Sequence, residues 1–255
     1  MFKKILILIL IFIFSGIYFS NCFAADKVIK SKKLYDCNGK FIKAKEKYFK
    51  KKYFEANNIL TEVLSNCPGH DAYDSMLYFQ AKTLLGLKKY QDAKTEFERI
   101  VQTYPNSNIY EESFYLLGYC MFLGSNSIEL DQSSTKEAKA RLYDFLETFP
   151  QSIYADSAKI YIEKADEKLA EKEFQTAKFY EKIEKYESAV VYYKILVQEY
   201  PNSKLVPSSL LGIAENLIKA NRINEAIQVL DDLLSQTKDE SIIKKAQALK
   251  NKIKK

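Results

Sequence analysis

The sequence predicts an all-α protein, a right-handed superhelical solenoid of about five helix hairpins closed by a C-terminal capping helix. Three observations carry this. A tetrapeptide recurs, "YPNS" at 104–107 and 200–203, with its relative "FPQS" at 149–152. Small residues stand at fixed distances before these prolines. The composition suits packed helices: 47% of the 255 residues are hydrophobic, 19 are tyrosine and only 7 are glycine, too few for a loop-rich all-β chain.

Each proline ends a helix, because it cannot donate the next helical hydrogen bond and pushes the residue before it away from helical dihedrals. Asn and Ser then suit a turn and the cap of the next helix. Twelve residues before Pro68, Pro105, Pro150 and Pro201 stand Ala56, Ala93, Ala138 and Ala189. Ala226 is a fifth member, with Lys238 where its proline would be. Twelve residues further back lie Ala44, Ala81, Ala177 and Ala214, and Gly118 serves the unit displaced by an insertion. Four residues after the second alanine a bulky side chain always follows: Leu60, Phe97, Leu142, Tyr193 and Leu230. Small residues let two helices approach, and large ones fill the space beside them. These are the two small positions of a tetratricopeptide repeat (TPR).

The register places helix pairs near 38–50 and 53–66, 73–86 and 90–103, 110–123 and 135–148, 170–184 and 186–199, and 207–220 and 223–236. A last helix, about 239–253, ends in "KNKIKK" and supplies the polar cap that a solenoid needs. Ala44, Ala81 and Gly118 are 37 residues apart, as are Ala177 and Ala214, but Gly118 and Ala177 are 59 apart. Part of the excess lies in "LGSNSIELDQSST", the rest after Pro150. The latter stretch lacks Pro and Gly and reads as helix, long enough to run into the fourth repeat. It divides the chain into an N-terminal half, 37–152, with three repeats, and a C-terminal half, 153–255, with the linking helix, two repeats and the cap.

The N-terminus reads as an export signal over 1–21, with a basic start, "MFKK", and fifteen apolar residues, Ile5–Phe19, too few for a span of about 20 residues. Two cuts remain open. One precedes Cys22 and leaves a lipid-anchor cysteine, with 22–36 as an anchor-proximal linker. The other follows Ala24 and leaves a soluble protein. The formal charge of +6 falls to +4 without Lys3 and Lys4, which makes no case for nucleic acid.

No catalytic constellation is present, and no metal or cofactor is expected. The single histidine, His70, reads as a surface turn residue without partners at metal spacing. Acidic residues alternate with lysines, as in "EKADEKLAEKE", the pattern of a solvated helix face. Cys37 begins the first helix of repeat one and Cys67 ends the second, so an antiparallel hairpin allows a disulfide; two unpaired thiols are the other reading. Cys120 reads as a small buried hydrophobe. The lysines of "KFIKAKEKYFKKKYF" form either a solvated face or a surface for anionic headgroups. First helices line the concave face of a TPR solenoid, which nominates Phe41, Lys45, Tyr48, Tyr78, Lys82, Tyr115 and Tyr119 as a groove for an extended peptide.

The stretch Asp131–Lys204, with its Asp-Gln insertion in the third repeat and the run "LAEKEFQTAKFY" opening the fourth, resembles the BamD family of outer-membrane β-barrel assembly lipoproteins. That resemblance implies a non-enzymatic protein anchored through Cys22 to the periplasmic face of the outer membrane. Its implied partners are a POTRA-containing barrel assembly protein, met by repeats four and five, and unfolded outer-membrane proteins, met by the N-terminal groove. Other assembly lipoproteins are implied companions. The lipobox departs from the family in Phe19 and Asn21. The alternative reading is a soluble periplasmic TPR scaffold for envelope or cell-division complexes.

Overall fold

The computed structural model describes residues 35–253; the apolar run, Cys22 and both cleavage sites lie outside the described residues. The described chain is helical throughout and consists of consecutive antiparallel hairpins. Helices α1 (Cys37–Phe49) and α2 (Tyr53–Asn66), α3 (Tyr73–Gly86) and α4 (Tyr90–Thr103), and α5 (Tyr110–Leu123) and α6 (Ser133–Thr148) form the first three. Helices α7 (Ala155–Lys182) and α8 (Tyr186–Glu199) form the fourth, α9 (Val206–Lys219) and α10 (Ile223–Gln236) the fifth, and α11 (Glu240–Ile253) covers its end. Among the described residues no helix is long and apolar enough to cross a membrane.

Each hairpin closes on its small residues. Ala44, Ala56, Ala81, Ala93, Ala138, Ala177, Ala189, Ala214 and Ala226 have no exposed surface. At Gly118 the approach is closer than a side chain allows, since a Cβ there would stand 2.8 Å from Leu142 Cδ2. The bulky residues beside them, Leu60, Phe97, Leu142, Tyr193 and Leu230, are fully buried.

Two turn designs alternate along the chain. Between hairpins, the serine of each "YPNS" or "FPQS" accepts a hydrogen bond on Oγ from the amide two residues ahead: Ile109 N–H at 3.4 Å, Tyr154 N–H at 3.0 Å and Leu205 N–H at 3.1 Å. At the first such turn, "CPGH", His70 occupies the serine position, and its Nδ1 accepts from the Ala72 amide at 3.1 Å. The lone histidine is therefore the fourth member of the turn series. Its imidazole nitrogen does the work of a hydroxyl, a substitution that residue type alone conceals.

Within hairpins, the first helix ends in a Schellman motif, in which an amide bonds back to a carbonyl five residues earlier. Lys52 N–H reaches Lys47 O, Lys89 reaches Leu84, Lys185 reaches Tyr180 and Arg222 reaches Leu217, at 2.8 to 2.9 Å. The preceding residues, Lys51, Lys88, Glu184 and Asn221, have φ between 58° and 62°. Three of the four lack the short polar side chain that eases the left-handed conformation, which costs roughly 1–2 kcal/mol for such residues.

The third hairpin departs from this pattern because of its insertion. Gln132, buried, donates through Nε2 to Ser127 O at 2.7 Å and Leu130 O at 3.1 Å, and its Oε1 accepts from the Thr135 hydroxyl at 2.8 Å. The loop thus folds around one amide side chain. From α7, Lys168 donates to Ser125 Oγ at 2.7 Å and Lys172 to Glu129 O at 3.1 Å. Helix α7 is one continuous helix of 28 residues. Its first half buries Ala158, Ile162, Ala165 and Leu169, and its second half buries Ala177 in the fourth hairpin. The Sγ atoms of Cys37 and Cys67 are bonded, tying α1 to the end of α2 with Cα atoms 6.0 Å apart.

Three outcomes follow. Gly118→Leu should lower stability by roughly 1–3 kcal/mol through overpacking against Leu142; unchanged thermal unfolding would refute the assigned close approach. Lys88→Gly should raise stability by about 0.5–1 kcal/mol, as relief of the left-handed strain outweighs the entropy of the new glycine. His70→Ser should unfold like the parent, whereas His70→Ala should lose about 1 kcal/mol in urea denaturation.

Candidate functional site

The seven groove positions come from α1, α3 and α5, which adjoin side by side. The structure gathers five of them, Tyr48, Tyr78, Lys82, Tyr115 and Tyr119, into one aromatic and charged cluster, while Phe41 and Lys45 pack at the solenoid's first helix. Their accessibility differs from the expectation. Phe41, Tyr78 and Tyr115 are only 6–8% exposed. Rings one hairpin further on add to the cover of two of them: Phe79 meets Phe41 edge-on at 5.8 Å, and Tyr154 stacks on Tyr115 at 5.1 Å. All three are buried, Phe41 and Tyr115 in contacts between hairpins. Tyr48, Lys45, Lys82 and Tyr119 remain partly exposed.

Lys82 is not a free cation either. Its Nζ donates to Tyr78 Oη at 2.9 Å and to Glu112 Oε1 at 3.0 Å. Glu112 stands on α5 and was not nominated from the sequence. Burial raises the pKa of its carboxyl, but hydrogen bonds from Tyr78 and Lys82, the Lys82 charge and Tyr154 outweigh that and hold it below the ordinary value. Burial, reinforced by Glu112, pushes the Tyr78 phenol up, and burial with Glu112 raises Tyr154 to about 12. The centre of the cluster is therefore a compensated polar network within an aromatic wall.

The exposed part of that wall comes largely from α7. Tyr161 meets Tyr119 at 4.7 Å and Phe122 at 5.6 Å. Lys164 Nζ lies 4.4 Å from the Tyr161 ring centre and has no ion-pair partner among the described residues. The signal in the sequence is the seven-residue spacing of Tyr154 and Tyr161, with Ala158 between, which puts both rings on one face of a helix. A shallow depression of about 330 Å³ opens nearby between Tyr48, Tyr53, Lys82 and Tyr119.

A second concavity, of about 620 Å³, lies where α7 passes the Tyr200–Lys204 turn. Ile160, Glu163, Glu167 and Tyr200 line it. Lys204 pairs with Glu167 across it at 3.6 Å, and Lys139 pairs with Asp166 beside it.

The Glu112 network makes a stability prediction. Because the folded carboxyl lies below its reference value of 4.5, its contribution is present above that pH and is lost as pH falls through the folded value. Glu112→Gln should be less stable than the parent near pH 7, and the gap should narrow in urea titrations as pH falls below 4.5 and through the folded value. A gap independent of pH would exclude the ionised carboxylate as its source.

Comparison with known proteins places this architecture. The chain is 25% identical over 138 residues to the outer membrane protein assembly factor BamD of Caulobacter vibrioides, a match covering 54% of this chain and 45% of that protein's length. It is 22% identical to the BamD of Rickettsia prowazekii, covering 69% and 70%, and 26% identical to that of Pasteurella multocida, covering 72% of each. Among solved structures it is similar to the TPR2AB domain of yeast Sti1, at 15% identity and a TM-score of 0.43, covering 85% of this chain and 82% of that one. A thermophilic TPR protein of Thermus thermophilus aligns at 16% identity and a TM-score of 0.37, covering 84% and 98%. The YfiO family, described as outer membrane lipoprotein, matches residues 35–234, and the chain belongs to that family.

Proposed function

We infer that the protein is a non-enzymatic scaffold in outer-membrane protein assembly, working at the periplasmic face of the outer membrane with Cys22 as its lipid anchor. The observation that carries this is the family match across residues 35–234, joined by relatives named as assembly factors. In this reading the N-terminal half, residues 37–152 with the adjoining face of α7, receives extended segments of unfolded barrel proteins. The groups available for that are Tyr48, Tyr119, Tyr161 and Lys164: rings against which a strand's side chains stack, and a cation for a carboxylate. The C-terminal half, 153–255, meets the POTRA-bearing assembly subunit and any companion lipoproteins.

The test is a crosslinked pull-down of the tagged protein from detergent-solubilised envelopes, read by mass spectrometry. Recovery of a POTRA-containing barrel protein supports the assembly role. Recovery of peptidoglycan or division proteins without one moves the function to a general envelope scaffold. In the first case, Tyr119→Ala combined with Tyr161→Ala should weaken capture of unfolded barrel substrates about tenfold, a loss typical of truncated aromatic anchors, while the POTRA protein is recovered as before.

A further inference from the structure

The first hairpin ends in a tip whose large exposed apolar surface the assembly role does not explain. Phe49 closes α1 and Phe54 is the second residue of α2; they are 70% and 71% exposed, with one side of the Phe49 ring against Tyr48 and Phe79. Between them run Lys50, Lys51 and Lys52, all exposed. Ile42, 54% exposed, lies two helical turns before Phe49 on the same side of α1. The next intrahairpin turn sits alongside, since Gly86 packs against the Tyr53 ring, and it adds Lys88 and Lys89. Lys52 pairs with Glu55 at 3.2 Å, and Glu55 also takes Lys47. Lys50, Lys51, Lys88 and Lys89 form no ion pair among the described residues. The exposed carboxylates nearby, Glu46 and Asp92, are too few to balance them.

We propose that this tip is a membrane-contact site, in which Phe49 and Phe54 enter the interfacial region of a bilayer while the flanking lysines meet anionic phospholipid headgroups. The inference goes beyond the assembly role and does not rest on it. The chemistry is that of an interfacial anchor: aromatic rings prefer the headgroup boundary, and lysines spread over apolar surface with their ammonium groups in the polar layer. The charge of the tip selects an anionic surface over a neutral one, at about 1 kcal/mol per lysine near it. Chain length permits the contact. Helix α1 carries the chain about 20 Å from Cys37 to the tip, and the stretch from Cys22 to Cys37 can reach up to about 50 Å when extended. An anchor at Cys22 and the tip can therefore touch one surface.

The chain contains no tryptophan, so one substitution supplies a site-specific probe. Full-length protein carrying Phe54→Trp is reconstituted in phosphatidylcholine vesicles with and without phosphatidylglycerol, each containing brominated lipid as quencher. Ile153→Trp is the control: Ile153 is 84% exposed at an interhairpin turn without flanking lysines. The expected result is blue-shifted emission and quenching of Phe54→Trp in the anionic vesicles, with Ile153→Trp unquenched in both. Replacing Lys50, Lys51 and Lys52 by Gln should then weaken partitioning of the tip about fivefold per lysine removed. Unquenched emission in anionic vesicles overturns the proposal, and so does equal quenching in both vesicle types or of both probes. A blue shift in both vesicles without quenching means that protein covers the tip, and overturns it equally. None of these outcomes depends on the POTRA pull-down, so the two readings fail separately.

Discussion

Everything in this molecule depends on how closely two helices can approach at a residue that ends at Cβ or lacks it. At Gly118 a single added carbon would collide with Leu142, and nine alanines elsewhere are sealed from solvent by the same contact. Dispersion forces fall off steeply with distance, so a hairpin held a fraction of an ångström apart loses much of its packing energy. The large residue beside each small one then has a defined hole to fill. Repetition of that unit, and not any one cluster, builds a core running the length of the solenoid.

The turns convert hairpins into a regular stack. A Schellman end inside four of the five hairpins and a side-chain-capped proline turn between hairpins fix two alternating reversals of the chain. The left-handed lysines at 51 and 88 and the imidazole at 70 show how much residue identity can vary while the hydrogen bonds stay the same. The single departure, the insertion in the third hairpin, is held by Gln132 and clasped by Lys168 and Lys172 from α7. The long helix thereby serves two neighbours in turn. It walls the aromatic groove with its first half, leaves a gap beside the Tyr200 turn, and pairs with α8 through its second half.

The same close packing decides what the groove can offer. Rings that a repeat pattern places on the inner face lie within reach of the next hairpin's rings, and where the two meet they consume one another's surface. Phe41 and Tyr115 spend much of their surface in this way, Tyr78 is buried beside Glu112, and Lys82 pairs with that same carboxylate. What remains partly open comes from α1, α5 and α7, in Tyr48, Tyr119 and Tyr161, so the aromatic face draws on the irregular helix as well as on the repeats.

The sequence by itself determined the hairpin register, because proline, alanine and bulky positions recur at fixed spacing and each has a local steric meaning. It also determined that the stretch after Pro150 is helical, since nothing in it breaks a helix. The turn role of His70, the pairing of Lys82 with Glu112 and the recruitment of Tyr154 and Tyr161 were decided by the tertiary structure alone. Each joins residues on different elements or replaces one acceptor by another, and neither leaves a periodic trace. Exposure was decided there too. Phe41 and Phe49 are both aromatic residues of α1, yet one is buried and the other projects into solvent. Phe79 of the neighbouring hairpin meets both rings edge-on at 5.8 Å, and what separates them is the α1–α2 core, which takes in Phe41 and which Phe49, at the end of α1, lies beyond.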